Sequence, residues 1–257
     1  MKIKVYGKSD AGKRKGICED SFGFFPQKEV SNYNEKNIYI IADGMGGTKG
    51  GKIASKKAVE SIIEFFIKGR KIDNKFTLRS KDEVGRRLEY AILNANRKLR
   101  EEILIHPELN GMGTTVVTAH IHNNKIYIAH LGDSRCYRVR DDTIECLTQD
   151  HSLVQELYKL GEITLEQLKT HPQRHIITQA LGVTDNVKCD LRIEELKGKD
   201  IFLLCSDGIN NVIEDEEIKE IILKQSPDLT AMCVELIEQA IRKETKDDVT
   251  TLIIQVS

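Results

Sequence analysis

Residues 37–47 read NIYIIADGMGG, an apolar, β-branched run that ends in Asp43 and a glycine-rich turn. Such a run, bounded by polar and turn residues, predicts a strand. Gly44 directly after the acid lets the backbone turn tightly and approach a metal or ligand closely. The arrangement recurs along the chain. Asp133 follows KIYIAHLG, Asp207 follows IFLLCS and carries its own glycine, Asp20 precedes SFGFF, and Asp247 with Asp248 precedes VTTLIIQV. In an antiparallel sheet the start of one strand lies beside the end of its neighbour. Acids that open two strands and close three others can therefore meet at one edge of a sheet system.

Further β-rich runs fall at 2–6, 21–25, 115–122, 125–131, 135–139, 188–193, 200–205 and 249–256. The pair around Asn123 and Asn124 predicts a hairpin turn, because Asn tolerates positive φ. Three stripes have helical spacing: Ile53, Ala54, Ala58, Ile62, Phe65 and Phe66; Val84, Leu88, Ile92, Ala95, Leu99 and Ile103; and Leu229, Met232, Cys233, Leu236, Ile237 and Ala240. They predict helices that pack on a core. Helices that arrive in pairs between runs of consecutive strands fit a mostly antiparallel sheet system faced by helices better than alternating βαβ units. Only four prolines occur and no Gly/Ser-rich linker marks a boundary, so a single domain over 1–257 is expected. The polar, weakly helical segment 152–174 interrupts the strand rhythm and reads as an insert lying over something.

Composition narrows the function classes. Hydrophobic residues make up 40% and charged residues 31%, as in soluble globular proteins. The formal net charge of −1 gives no field to hold a nucleic-acid backbone or an anionic membrane. The polar opening MKIKVYGKSD predicts no secretory signal, and no apolar run approaches the roughly 18 residues of a membrane span, so a cytoplasmic protein is expected. The six cysteines form no C-x-x-C pair and are read as reduced, mostly buried thiols rather than zinc ligands or disulfides.

Five carboxylates at one edge cannot all stay ionised unaided, because like charges a few ångströms apart repel strongly. Hard divalent cations resolve the conflict, and all-oxygen surroundings select Mg²⁺, Mn²⁺ or Ca²⁺. A calcium loop would show D-x-D-x-D-G with a distal Glu, which is absent here. A two-metal site fits better: two ions can hold a water between them, lower its pKa and clamp a phosphate for in-line attack.

In its ordered blocks the sequence resembles the metal-dependent protein phosphatase family (type 2C), and more closely its bacterial branch. The blocks are EDSFGFF, ADGMGGTKGG, GMGTTVVTAHI, AHLGDSR, LTQDHSLV, ITQALG, LLCSDGINN and DDVTTLII, in the family's order between residues 19 and 254. The resemblance implies an α+β fold, a β-sandwich of two mostly antiparallel sheets flanked by helices in α-β-β-α layers. It implies a protein serine/threonine phosphatase using Mn²⁺ or Mg²⁺, acting on phosphorylated proteins as a monomer and opposing a Ser/Thr kinase. Asp43 would bridge both catalytic metals, and the Gly44 carbonyl would bind one. Asp20 would hold that metal directly or through water, with Glu19 nearby. Asp207 and Asp247 would hold the other, and Asp133 a looser third. The insert at 152–174 matches the family's variable flap, which contributes to substrate choice.

Four positions depart from the family pattern. The Arg that holds the substrate phosphate is replaced by Lys15, with Arg14 beside it, and Lys lacks the bidentate fork of Arg. Cys18 stands where Asn is usual, Gln179 where Arg is usual, and Asp248 where Asn follows the last metal ligand. His151, His171 and His175 could serve as acids near neutrality, but structural or solvated roles are expected for them. Met45 occupies the place where eukaryotic relatives carry His. Ser134 and Ser206 lack the G-x-S-x-G setting of a nucleophile, and GMGGTKGG lacks the spacing of a nucleotide phosphate loop. Two rivals are a two-metal nuclease, disfavoured by the absence of basic clusters, and a catalytically dead phosphoprotein binder, which should have lost its metal acids.

Overall fold

The computed structural model describes residues 2–13, 16–26, 37–46, 50–69, 71–73 and 76–257. In chain order they form β1 (Ile3–Asp10), β2 (Ser21–Phe25), β3 (Ile38–Ala42), the short β4 (Gly44–Met45), α1 (Gly50–Ile67) and α2 (Glu83–Ile105). Five strands follow: β5 (Gly113–Thr114), β6 (Val116–His122), β7 (Lys125–Leu131), β8 (Arg135–Arg140) and β9 (Thr143–Cys146). The remainder is α3 (Leu153–Lys159), α4 (Leu165–Thr170), β10 (Asp190–Glu195), β11 (Ile201–Cys205), α5 (Asp207–Asn210), α6 (Asp215–Gln225), α7 (Leu229–Arg242) and β12 (Val249–Val256).

Two five-stranded antiparallel sheets result. One has the order β1-β12-β11-β8-β9 and the other β10-β7-β6-β3-β2, while β4 and β5 make a separate ribbon. The period-two alternation of each strand sorts its side chains into layers. Ile38 and Ile40 of β3 pack with Ala58, Ile62 and Phe65 of α1 and Leu88 and Ile92 of α2, whereas Tyr39 and Ile41 point between the sheets. In β11, Leu203 and Cys205 face Ile218 of α6 and Met232 and Leu236 of α7, and Phe202 and Leu204 enter the inter-sheet core. Three apolar cores therefore separate four layers, α-β-β-α, as the resemblance implied. Truncating a fully buried member such as Ile41 to Ala would cost about 2–5 kcal/mol.

Asn123 and Asn124, at φ of 46° and 61°, make the two-residue turn joining β6 to β7, as expected for a primed hairpin turn. Arg138 of β8 reaches Glu194 of β10 at 2.8 Å, and Arg192 of β10 reaches Glu145 of β9 at 2.5 Å, so charges lace the two sheet edges together. The segment expected as an insert carries α3 and α4. Its base is closed by backbone pairing of Ser152 with Ile177 and a bond from Leu153 N to Ile176 O at 2.9 Å. All six cysteines are free thiols, four of them buried. Among the described residues no helix is long and apolar enough to cross a membrane.

Candidate active site

The sheet register brings the acids together. Ser21 pairs with Ala42, which sets Asp20, just before β2, beside Asp43, just after β3. Cys205 pairs with Thr251, which brings Asp207, the first residue of α5, to the end of the sheet from which Asp247 enters β12. Asp133 lies in the turn from β7 to β8. One sheet thus contributes Asp20 and Asp43, the other contributes Asp207 and Asp247, and Asp133 lies in the crossover between them. The five converge where the two sheets meet.

Their electrostatics record the convergence. The Asp43 carboxyl is held well above its ordinary range, by burial first and then by the charges of Asp20, Asp207, Asp133 and Asp247. Asp207 is likewise well above its ordinary value, through burial and the charges of Asp133, Asp247 and Asp20. Burial pushes Asp133 up to about 7, with the negative charge of Asp150 adding to it. Asp20 rises to about 6 through burial, partly offset by hydrogen bonds from Thr250 and Ser206.

Two of these carboxylates are oriented but incompletely satisfied. Ser206 Oγ donates to Asp20 Oδ2 at 2.7 Å, and Asn211 Nδ2 donates to Asp207 Oδ2 at 2.9 Å. The other oxygens, Oδ1 of Asp20 and Oδ1 of Asp207, are buried with no hydrogen-bond partner, and so is Oδ1 of Asp133. A buried carboxylate oxygen without a partner costs free energy unless a cation takes it. Three of them in one all-oxygen cluster fit hard divalent ions.

The backbone is held as closely as the side chains. Thr114 Oγ1 donates to Asp43 O at 2.7 Å, and Asp43 N donates to Thr115 Oγ1 at 3.1 Å. From α1, Lys52 Nζ donates to Asp20 O at 2.6 Å, and Ser55 Oγ to Glu19 O at 2.5 Å. A Cβ at Gly44 would lie 2.2 Å from Gly51 O and 2.7 Å from Glu19 O, so only glycine allows these three backbones to meet.

The expected positions have different outcomes. Asp20, Asp43, Asp133, Asp207 and Asp247 come together, with the backbones of Glu19 and Gly44 against them. Lys15 and Arg14, expected to hold the substrate phosphate, lie outside the described residues. Of the histidines, His171 Nδ1 accepts from Gln173 N at 3.2 Å in a local turn, His175 is exposed, and His151 is buried beside the Asp133 loop. Gln179 Oε1 accepts Lys188 N at 2.9 Å, a local contact. The orienting residues Ser206, Thr114, Thr115 and Ser134 were not singled out as such from sequence, although they lie in the blocks CSDG, GTT and GDS. Lys52 and Ser55 carry no sequence signal beyond their place on α1.

A four-layer α+β sandwich that gathers hard-cation ligands at the junction of its sheets defines a class of metal-dependent phosphoester hydrolase. A family model for protein phosphatase 2C matches residues 9–249, and the chain belongs to that family. The serine/threonine phosphatase stp of Listeria innocua is 34% identical over 248 residues, covering 96% of this chain and 94% of that protein. The crystal structure of the Mycobacterium tuberculosis serine/threonine phosphatase PstP is similar with a TM-score of 0.85 at 29% identity, covering 100% of both chains. The catalytic domain of PstP in complex with two manganese ions is similar with a TM-score of 0.80 at 29% identity, covering 99% of this chain and 98% of that one.

Proposed function

We propose that this protein hydrolyses phosphoserine and phosphothreonine in other proteins, using Mn²⁺ or Mg²⁺ held by the carboxylate cluster, and that it opposes a Ser/Thr kinase. The observation that carries the reading is the set of three partnerless buried oxygens among five acids drawn from both sheets. The names of its relatives, and the two manganese ions in one of them, support it.

In this reading Asp43 would be shared by two cations, since the charges of Asp20, Asp207, Asp133 and Asp247 all act on its carboxyl. Asp20 and the Gly44 carbonyl would hold one cation, with Glu19 beside them, and Asp207 and Asp247 would hold the other. Asp133 would hold a third more loosely. When bound, the ions supply the charge that lowers the pKa of a water and neutralises the phosphoryl group. The chain's own work is orientation. Ser206 turns Asp20, Asn211 turns Asp207, and Thr114 and Thr115 fix the Asp43 backbone from both sides. Lys15, or Arg14 beside it, grips the substrate phosphate as a positive charge. The α3–α4 segment acts as a flap that contributes to substrate choice.

Release of phosphate from a phosphothreonine peptide tests the reading. Activity in Mn²⁺ that a chelator abolishes and added Mn²⁺ restores is expected. Cleavage of nucleic acid with no phosphopeptide turnover would support a nuclease, and phosphopeptide binding without turnover would support a binding protein; either overturns the proposal.

A further inference from the structure

Asp133 sits in a turn whose preceding residue, Gly132, has no side chain and adopts φ +111°, with a Cβ there excluded by Thr115 at 2.6 Å. Such a residue is held only through its peptide groups, and both of them go to one partner. Gly132 N donates to His151 Nδ1 at 3.2 Å, and His151 N donates to Gly132 O at 2.9 Å. His151 is buried and stacks on His130, with ring centroids 4.8 Å apart and planes at 18°. On the far side of Asp133, Ser134 Oγ meets Thr115 Oγ1 at 2.7 Å, and Thr115 Oγ1 accepts Asp43 N. The Asp133 loop is thus pinned at both flanks, to the Asp43 turn through Ser134 and to His151 through Gly132.

The hydrogen bonds also fix the tautomer of His151. Since Gly132 N–H donates to Nδ1, that nitrogen carries a lone pair and the proton resides on Nε2. Nε2 lies 3.3 Å from Asp190 Oδ2, which accepts that proton. His130, His151 and Asp190 resemble a cation-binding trio in geometry. A cation on His151 Nε2 would require a proton on Nδ1, pointing straight at the Gly132 N–H. His130 Nε2 is taken by Gln149 O at 2.8 Å, and His151 with Asp190 forms a hydrogen-bond relay rather than a metal site. Asp190 is 48% exposed and faces a cavity of about 660 Å³ with Arg79 and Arg192, so the relay starts at the surface and ends at the active site.

We propose that His151, with its tautomer set by Asp190, is a positioning residue for the hydrolysis: it holds Gly132, and through it keeps the Asp133 carboxylate where the loosely bound cation is taken. The inference rests on the phosphatase reading for its catalytic meaning, but its test reads cation binding directly. Outer partners of metal ligands typically contribute about 10–100-fold to affinity or activity.

Calorimetric titration with Mn²⁺ alone separates the roles of the two ring nitrogens. His151→Gln reaches Asp190 but presents no acceptor at the Nδ1 position, so the affinity of the weak site should fall about 10-fold while the tight sites stay as in the parent. His151→Asn places its amide oxygen where Nδ1 lies and should restore most of that loss. Asp190→Ala, at a half-exposed position that leaves the core intact, should weaken the same site about threefold and decides the matter if His151→Gln does not fold. Turnover of a phosphothreonine peptide should follow weak-site occupancy across the series. Equal weakening by Asn and Gln would reduce His151 to a packing residue, and parent-like binding in His151→Gln or, failing that, in Asp190→Ala would overturn the proposal. A parent that binds Mn²⁺ but releases no phosphate would refute the phosphatase reading, while the binding pattern of the variants would still judge the role of His151.

Discussion

Asp248 Oδ2 accepts the backbone N–H of Glu19 at 2.6 Å, tying the strand that closes one sheet to the segment that opens the other. The acid that departs from the family pattern is therefore a backbone anchor, and its charge also helps to raise Asp20. Asp248→Asn retains an oxygen acceptor and should be at least as stable as the parent in chelator, because one repulsive charge is gone. Asp248→Ala leaves the Glu19 N–H without its acceptor and should lose about 1–3 kcal/mol. Urea unfolding of both variants checks this; equal losses would show that the contact does not act as an acceptor for Glu19.

Asp43 suffers the summed repulsion of four acids, so its removal should separate stability from activity. Asp43→Asn should lower phosphatase activity by a factor on the order of 10³ or more, as loss of roughly 4 kcal/mol of catalytic interaction requires. In chelator its melting temperature should exceed that of the parent. The parent should gain about 2.7 kcal/mol at Mn²⁺ concentrations near 100 times its dissociation constant, a gain that the variant largely lacks. Near-parental turnover in saturating Mn²⁺ would remove Asp43 from the centre of the site.

Asp133 separates substrates rather than fold states. The loosely held cation that Asp133 would take could supply a water to protonate the departing oxygen. A nitrophenyl leaving group needs that proton far less than phosphothreonine does. Asp133→Ala should therefore keep tight Mn²⁺ binding and lose roughly 10-fold more activity on a phosphopeptide than on nitrophenyl phosphate, within the usual range of acid–base contributions. Equal losses on both substrates would contradict the role.

His120 is a pH-dependent element remote from the acids. Burial holds it down to about 4 from 6.5, with the charges of His122 and Arg87 acting the same way, although its bond to Asn37 O at 2.5 Å acts against them. Below pH 6.5 the unfolded chain takes up a proton that the folded protein refuses until about pH 4. Stability is present above this window and is lost as pH falls through it, by on the order of 3 kcal/mol in full. His120→Asn lacks this titration, so its stability deficit relative to the parent should shrink by about 1–2 kcal/mol between pH 7.5 and 5 in urea unfolding. A constant gap would contradict the buried neutral imidazole.

The parts of this molecule legible in sequence are those with a local signal. Strands β3, β7 and β11 announce themselves as β-branched runs, and each acid of the cluster adjoins a strand end, so Asp20, Asp43, Asp133, Asp207 and Asp247 could be found without knowing the topology. The bonds that orient them could not. Ser206 reaches Asp20 across 186 residues because β11 ends and β2 begins at the same junction, a fact of sheet order rather than of composition. Strand β9 has only four residues after a turn at Asp141, and β4 and β5 have two each, too short for any periodicity. Helix α6 buries only Ile218 and Ile222, too narrow a stripe to stand out. His151 was visible as part of a motif, but its role depends on the bare peptide groups of Gly132.

Because Glu19 and Asp248 are joined across 229 residues, and the acids beside them come from opposite sheets, no part of the chain carries a part of the reaction. Strand β12 lies between β1 and β11 and brings Asp247 to the other acids, so the cluster is complete only once that strand is seated. Recovery of phosphatase activity during refolding would then not precede the seating of that one strand. In this architecture catalysis is itself a probe of whether both sheets have been joined.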